Sequence, residues 1–203
     1  MHSDPSGHFI ISLGAFLFGI AIGAVAGAAV SFSATVYDDY ADDGEIFNGS
    51  ISADEYVGNT IGGLVAGAGV GACSVLGAGL GAAMAAGETL AVGGVAMSGL
   101  SALGIGASSA FASGCVGYSV KTAINSEESF EVSDMLIEGG ANLFSGMLSF
   151  SGGLAGGITG VNVPGVKKGI GNFAKYHIGL TYFGVYPMKA FGSKIKNYAK
   201  GIF

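Results

Sequence analysis

Charged residues are scarce in this sequence: they make up 11% of its 203 residues, against about a quarter in a typical soluble domain. Half of the residues are hydrophobic, and the mean hydropathy is +0.61. A soluble domain needs polar and charged side chains to cover its apolar core, and this chain has too few for its length. The shortage predicts a protein whose apolar surface faces lipid.

Proline and cysteine are also rare, with three and two residues. So few prolines argue against a disordered low-complexity tract. Cys73 and Cys115 are too sparse for a disulfide framework or a zinc site, and we interpret both as small packing residues. Glycine, in contrast, is abundant at 39 residues without a collagen-like period, which indicates a role in close packing.

Arginine is absent, and seven of the eight lysines lie at or after Lys167. All 14 acidic residues lie between Asp4 and Glu138. The 14 acids and Lys121 give a charge of -13 up to Glu138, and the seven later lysines give +7. A lysine-rich end beside apolar segments predicts attraction to anionic lipid headgroups, although the same charge would also attract nucleic acid.

Four long apolar segments predict membrane-spanning helices, since about 20 residues cross a bilayer. They cover 9–36, 61–86, 90–120 and 136–163. The second and third are richer in Gly, Ala and Ser than in large residues, so each inserts only marginally by itself. We predict an all-α fold, a Gly/Ala-rich transmembrane bundle of about four spans with an interfacial lysine and aromatic tail over 164–203.

Polar breaks divide the spans. We expect two solvated acidic loops, over 37–60 and 121–135, and a turn of only Gly87-Glu88-Thr89 that makes spans two and three an antiparallel hairpin. Four spans place both chain ends on one side, and the positive-inside rule assigns the lysine tail to the cytoplasm. The chain is predicted to consist of a short first segment over 1–8, a membrane region over 9–163, and the lysine and aromatic tail over 164–203.

Glycines recur every four residues in three of the spans, which places them on one helix face. Such a strip lets two helix backbones approach closely in lipid. The alternative is that a glycine-rich chain produces this spacing by chance. The predicted helix-packing residues are Gly19, Gly23, Gly27, Gly63, Gly67, Gly71, Gly152, Gly156 and Gly160.

Two motifs suggest soluble chemistry, and neither fits well. Gly67-Ala-Gly69-Val-Gly71-Ala72 matches a loose dinucleotide-binding fingerprint, but no βαβ alternation surrounds it, so we interpret it as helix packing and predict no cofactor. Asp39 and Asp43 fall at positions one and five of a calcium loop, yet position three is Ala41 and position twelve is Ser50. We therefore predict no metal site.

No catalytic constellation emerges from the sequence. It contains no G-x-S-x-G, H-E-x-x-H or Walker A motif, and His2, His8 and His177 have no helical metal or triad partners. We predict that the chain is not an enzyme. The open alternative is a short nuclease-like toxin in the tail that uses His177 for acid/base chemistry.

The tail alternates lysines with aromatic rings, a pattern typical of an interfacial helix on lipid. Nucleic-acid binding by stacking and charge is the second interpretation. The predicted lipid-headgroup residues are Lys167, Lys168, Lys175, Lys189, Lys194, Lys196 and Lys200.

The first residues carry a family resemblance. His2-Ser3-Asp4-Pro5-Ser6-Gly7-His8-Phe9 resembles the D-P-x-G-H/R close of the Rhs/YD-repeat core, which in polymorphic toxins precedes a variable carboxy-terminal toxin. The apolar segment and the acidic stretch 37–50 that follow resemble the glycine-rich region after the core in Firmicutes cell-wall-associated members. The resemblance covers 4–164.

The resemblance implies a secreted toxin cargo whose apolar region helps an effector enter or cross a target membrane. Asp4 would match the aspartate of the self-cleavage motif. The expected partners are a lipid membrane, a second copy or another helix, and an immunity protein. A small integral membrane protein without toxicity is the alternative, and export would need an element other than a signal peptide, because no basic residue precedes the first apolar run.

Overall fold

A computed structural model describes residues 8–125 and 128–161. It contains four long helices and one short sheet, and the predicted all-α helical bundle is confirmed. The elements in chain order are β1 (His8–Ile11), α1 (Leu13–Asp43), α2 (Ala53–Ala86), β2 (Thr89–Val92), β3 (Val95–Met97), α3 (Gly99–Ile124) and α4 (Val132–Val161).

Serine residues cap the N-termini of three helices. The hydroxyls of Ser12, Ser52 and Ser98 each accept a hydrogen bond from the backbone N–H three residues later, at 3.1 to 3.2 Å. These side chains satisfy N–H groups that have no partner within a helix. Glycine ends α1 and α2, because Gly44 (φ 82°) and Gly87 (φ 69°) adopt the left-handed conformation that closes a helix.

The helices extend further into the acidic segments than predicted. α1 continues to Asp43 and α2 begins at Ala53, so the irregular part of the first break is 44–52 rather than 37–60. The acidic residues before Gly44 include no helix breaker, so the helix runs on beyond its apolar part. The second break is shortened in the same way, since α3 reaches Ile124 and α4 begins at Val132.

The predicted starts of spans one and three are wrong. Residues 8–11 form β1, and 89–97 form the hairpin of β2 and β3, so the three-residue turn after α2 does not exist. Gly93 (φ 58°) and Gly94 (φ 84°) supply the two successive left-handed residues that a tight hairpin turn requires. β1 pairs in parallel with β2, which pairs antiparallel with β3.

Helix α2 lies at the centre of the bundle and packs against α1, α3 and α4. In an apolar stretch of 18 residues in α2, 61% of the stretch is buried, against 17% of the corresponding stretch in α1 and 22% in α3. Each helix runs antiparallel to the one before it. Both acidic connections therefore lie at one end of the bundle, while the sheet and the end of α4 lie at the other.

Among the described residues, three helices are long and apolar enough to cross a membrane: α1, α2 and α3. This supports the interpretation as a membrane protein. The fourth predicted span, α4, is not confirmed, since it carries Glu138, Asn142 and several serines among its large apolar residues.

The sheet is fastened to the bundle by two apolar side chains. Ile11 and Leu90 are buried and pack against the glycine surface of α2 at Gly79. Leu90→Ala should therefore lower the free energy of unfolding by about 2–5 kcal/mol, because a cavity remains where the side chain was. The matched control is Leu100→Ala, whose side chain is 81% exposed and should change stability by about 0.5 kcal/mol or less. Unfolding in detergent micelles, followed by circular dichroism, measures both variants, and equal losses would contradict the assignment of Leu90 to the core.

Candidate membrane-embedded helix interface

Helices α1 and α2 touch backbone to backbone. A Cβ atom added to Gly23 would lie 2.5 Å from the Cα and 2.7 Å from the N of Gly71, and one added to Gly67 would lie 2.8 Å from the Cα of Gly27. Real Cβ atoms essentially never come this close to other heavy atoms. Because the opposing atoms belong to a helix backbone, they cannot move aside, so only glycine fits here.

The six glycines predicted for these two helices lie in this one contact. Gly23, Gly27, Gly67 and Gly71 form its backbone-on-backbone centre. The two outer positions face side chains, since Gly19 opposes Val75 and Gly63 opposes Ser31. Close approach of this kind provides van der Waals contact between helices in lipid, where the hydrophobic effect contributes nothing to their association.

In α4, Gly153 and Gly157 oppose the backbone of α2, each next to a glycine of the predicted strip. A Cβ atom on Gly153 would lie 2.9 Å from the N of Ala78, and one on Gly157 would lie 2.8 Å from the N of Ala82. The predicted Gly152 and Gly156 are also buried, and Gly160 falls in the last turn of α4. Adjacent glycine pairs give two overlapping spacings, so sequence spacing does not distinguish them.

Glycines also line two further faces of α2. A Cβ atom on Gly77 would lie 3.0 Å from the Cα of Phe150 in α4. On the side of α3, Gly62 and Gly117 oppose each other, with their added Cβ atoms 2.6 to 2.7 Å from the partner's carbonyl oxygen. Gly77 and Gly81 also have the four-residue spacing, whereas this spacing does not indicate the contact with α3.

The glycine run that resembles a dinucleotide fingerprint lies inside helix α2. Gly67 faces α1, whereas Gly69 faces Ser109 and Ser113 of α3. A phosphate-binding turn requires these glycines at the start of a helix. In this chain they separate two helix contacts.

The side-chain amide of Asn142 links helices α2, α3 and α4. The Nδ2 group of Asn142 in α4 donates to the carbonyl oxygens of Ala66 (3.0 Å) and Ala110 (2.6 Å) and to the hydroxyl of Ser113 (3.1 Å). Interhelical hydrogen bonds add to packing in lipid, where an unpaired amide is costly. Cys73 makes a similar link, because its Sγ donates to the Gly106 carbonyl at 2.8 Å, consistent with its interpretation as a packing residue.

The outward faces of the helices carry large apolar side chains. Phe18 and Val25 of α1 are each 68% exposed. The bundle thus buries many glycines and exposes many phenylalanine, leucine and valine side chains, unlike a soluble domain, although Val70, Leu76 and Phe150 are buried between the helices. The exposed members on the four helices include Leu13, Leu17, Phe18, Val25, Phe32, Ile61, Leu64, Met84, Ile105, Val116, Leu136, Phe144, Met147 and Ile158.

At the acidic end, Asp39 is fully buried and holds the connection from α1 to α2. Its carboxylate accepts hydrogen bonds from the Ser50 hydroxyl (2.5 Å), the Tyr56 hydroxyl (2.5 Å) and the Phe47 backbone N–H (2.8 Å). We call this group the Asp39 clasp. Positions one and twelve of the calcium-loop pattern do meet here, but as a carboxylate and a hydroxyl, and no group of three His, Cys, Asp or Glu side chains in the described part of the chain could hold a metal.

The clasp shifts two ionisation equilibria beyond the apolar part of the helices. The hydrogen bond from Ser50, then those from Tyr56 and Phe47, hold the pKa of Asp39 below its ordinary value, against the opposing effect of burial. Burial and the neighbouring Asp39 carboxylate raise the pKa of Tyr56 to about 12. Asp39 is therefore a carboxylate at neutral pH. Nothing in the sequence distinguishes it from its acidic neighbours, because its burial depends on the loop folding back.

Several predicted functional residues lie outside the described residues. They are the self-cleavage residue and the tail residues, namely Asp4, Lys167, Lys168, Lys175, His177, Lys189, Lys194, Lys196 and Lys200.

No protein-family model matches the chain, and no significant match occurs among curated proteins or solved structures.

The glycine contact generates a direct test. Gly23→Ala should lower the free energy of unfolding by about 1–3 kcal/mol, because the added methyl group overpacks two backbones. Gly104 in α3 has nothing within 4 Å of an added Cβ, so Gly104→Ala should leave stability unchanged or raise it by up to about 1 kcal/mol through helix propensity. Unfolding in detergent, with equal protein-to-detergent ratios, compares the two. A neutral Gly23→Ala would contradict the close approach.

The Asp39 clasp generates a pH-dependent prediction. Asp39→Asn should destabilise the protein at pH 7, because the carboxylate acceptor is lost. A lowered pKa in the folded state stabilises the fold fully above the unfolded value of about 4, and that stabilisation disappears as the pH falls through the folded value. The deficit of the variant should therefore shrink as the pH falls below the unfolded value of about 4. Thermal unfolding between pH 7 and pH 2.5 measures it, with exposed Asp38→Asn as the control; a deficit that is independent of pH would rule out the ionised clasp.

Proposed function

We propose that this chain is a non-catalytic, membrane-inserting module whose glycine-packed helices associate within a bilayer. The observation that carries the proposal is the distribution of side chains: large apolar residues face outward on all four helices, and glycines face one another inside. Such a bundle would expose its apolar surface to water in a soluble state, whereas lipid would cover it at no cost.

The length of the helices supports this proposal. The apolar part of α1, from Leu13 to Val36, is about 36 Å long at 1.5 Å per residue, and the hydrocarbon core of a bilayer is about 30 Å thick. The acidic end of α1 then emerges on one side, together with the Asp39 clasp. The charged groups at this end require no burial in lipid.

We further propose that the module belongs to a secreted polymorphic toxin and serves translocation or pore formation. The support is the resemblance of the first residues and of the glycine-rich region to the end of an Rhs-type core. The described contacts on α2 bring helix backbones together, so a water-filled path in this proposal forms between copies rather than through one bundle. An immunity protein would then be the expected protective partner.

Experiments can distinguish two other functions from the proposed one. A small integral membrane protein of scaffolding type is favoured by Asn142, whose hydrogen bonds hold three helices in one arrangement; its expression would be harmless. A nuclease-like tail predicts that His177→Ala abolishes toxicity while membrane binding persists.

Dye release from lipid vesicles tests the proposed function. The purified chain should release a trapped dye, and Gly23→Leu should reduce release several-fold because it separates α1 from α2. Gly14→Leu is the matched control, since Gly14 also lies in α1 with nothing within 4 Å of an added Cβ. A chain that stays monomeric in water and does not float with vesicles would refute membrane insertion, and floating without release would favour the scaffold.

A further inference from the structure

Two exposed phenylalanines lie at the acidic end of the bundle, each on a buried tyrosine. Phe47 is 66% exposed, and its ring centroid lies 5.1 Å from that of Tyr56. Phe130 is 52% exposed and lies 5.7 Å from Tyr118. Both tyrosines are at least nine-tenths buried, at 8% and 6% exposure. Two separate connections thus present the same arrangement to the surface.

Both arrangements are held in place by hydrogen bonds. The Asp39 clasp binds the Tyr56 hydroxyl and the Phe47 N–H, and Phe47 has φ 60°, a conformation that a phenylalanine rarely adopts without such support. On the other side, the backbone N–H of Glu131 donates to the Tyr118 hydroxyl at 3.2 Å. The exposure of the two rings is therefore built into the fold and is not a consequence of loose loops.

The end of α1, which leads into the connection that carries Phe47, corresponds to the level of the lipid headgroups. If the centre of the glycine contact at Gly23 lies at the bilayer midplane, Tyr37 lies about 21 Å from it along α1. The hydrocarbon edge lies at about 15 Å and the outer headgroup boundary at about 20–22 Å. Aromatic rings are enriched at this level in membrane proteins, and Tyr37 and Tyr40 near the end of α1 are 62% and 55% exposed.

The charge at this end favours one class of headgroup. Four acidic residues are exposed at the connection from α1 to α2, namely Asp38, Asp42, Asp43 and Glu45. Lys121, which is the one lysine of the described part of the chain, pairs with Glu128 at 2.9 Å. Carboxylates repel anionic lipid, whereas exposed aromatic faces beside carboxylates attract quaternary ammonium groups.

We propose that Phe47 and Phe130 form a paired anchor that seats in the headgroup layer of a leaflet rich in choline lipid. This proposal rests on the membrane insertion proposed above. It assigns the acidic end to a zwitterionic surface rather than to bulk water, and it leaves anionic lipid to the opposite end of the bundle, where the lysine tail follows α4 in sequence.

Tryptophan fluorescence tests the anchor, because the sequence contains no tryptophan and each substituted residue is the sole reporter. Phe47→Trp and Phe130→Trp, in the full chain reconstituted in phosphatidylcholine vesicles, should show emission that is blue-shifted relative to tryptophan in water. Both should be quenched best by lipids brominated near the headgroup end of the acyl chain. Phe18→Trp, which lies about 7.5 Å from Gly23 along α1 and is 68% exposed, should be quenched best by bromines placed deep in the chain.

The three reporters separate the two proposals. If Phe18→Trp is not quenched by brominated lipid, membrane insertion itself fails. If Phe18→Trp is quenched and both loop reporters remain fully accessible to aqueous acrylamide, the anchor alone is wrong. Phe47→Trp should also be quenched several-fold less by acrylamide in phosphatidylcholine than in phosphatidylglycerol vesicles at low salt, and this difference should shrink at about 0.5 M salt. Equal or better protection in phosphatidylglycerol would overturn the assignment to choline lipid.

Discussion

The structure depends on the glycines of helix α2, which have no side chain and so allow close contact with neighbouring helices. Where Gly67 and Gly71 meet Gly23 and Gly27 of α1, the two backbones are in direct contact, and a methyl group on any of them would overlap backbone atoms. The same device recurs towards α3 and α4. One helix can therefore approach three neighbours closely at its glycine positions, and many of the large apolar residues lie on the outer surface.

This use of glycine has a cost that the rest of the fold offsets. Glycine disfavours helix formation by about 1 kcal/mol per residue relative to alanine, so long glycine-rich helices need support from their ends and neighbours. Serine caps begin α1, α2 and α3, and left-handed glycines end α1 and α2. Asn142 adds hydrogen bonds between three helices at a level where glycine alone would allow sliding.

The two ends of the bundle differ in chemistry. One end is acidic, and there the buried Asp39 carboxylate is stabilised by hydroxyl and N–H donors. The other end is closed by a small sheet packed through Ile11 and Leu90. Helix α4 runs toward the sheet end, so its last described residue, Val161, lies opposite the acids. This polarity suits a molecule that meets two different surfaces.

Composition and spacing by themselves determined the helical class, the apolar outer surface and the glycines of α1 and α2 that pack closely, because a four-residue glycine period places them on one helix face. They did not determine the β2–β3 hairpin, which needs Gly93 and Gly94 in a left-handed conformation inside an apolar run. Which helices the glycine strips join, and the burial of Asp39 among exposed acids, were decided only in the tertiary structure. Both depend on which atoms of another segment stand opposite, and that is a property of the packed chain rather than of local sequence.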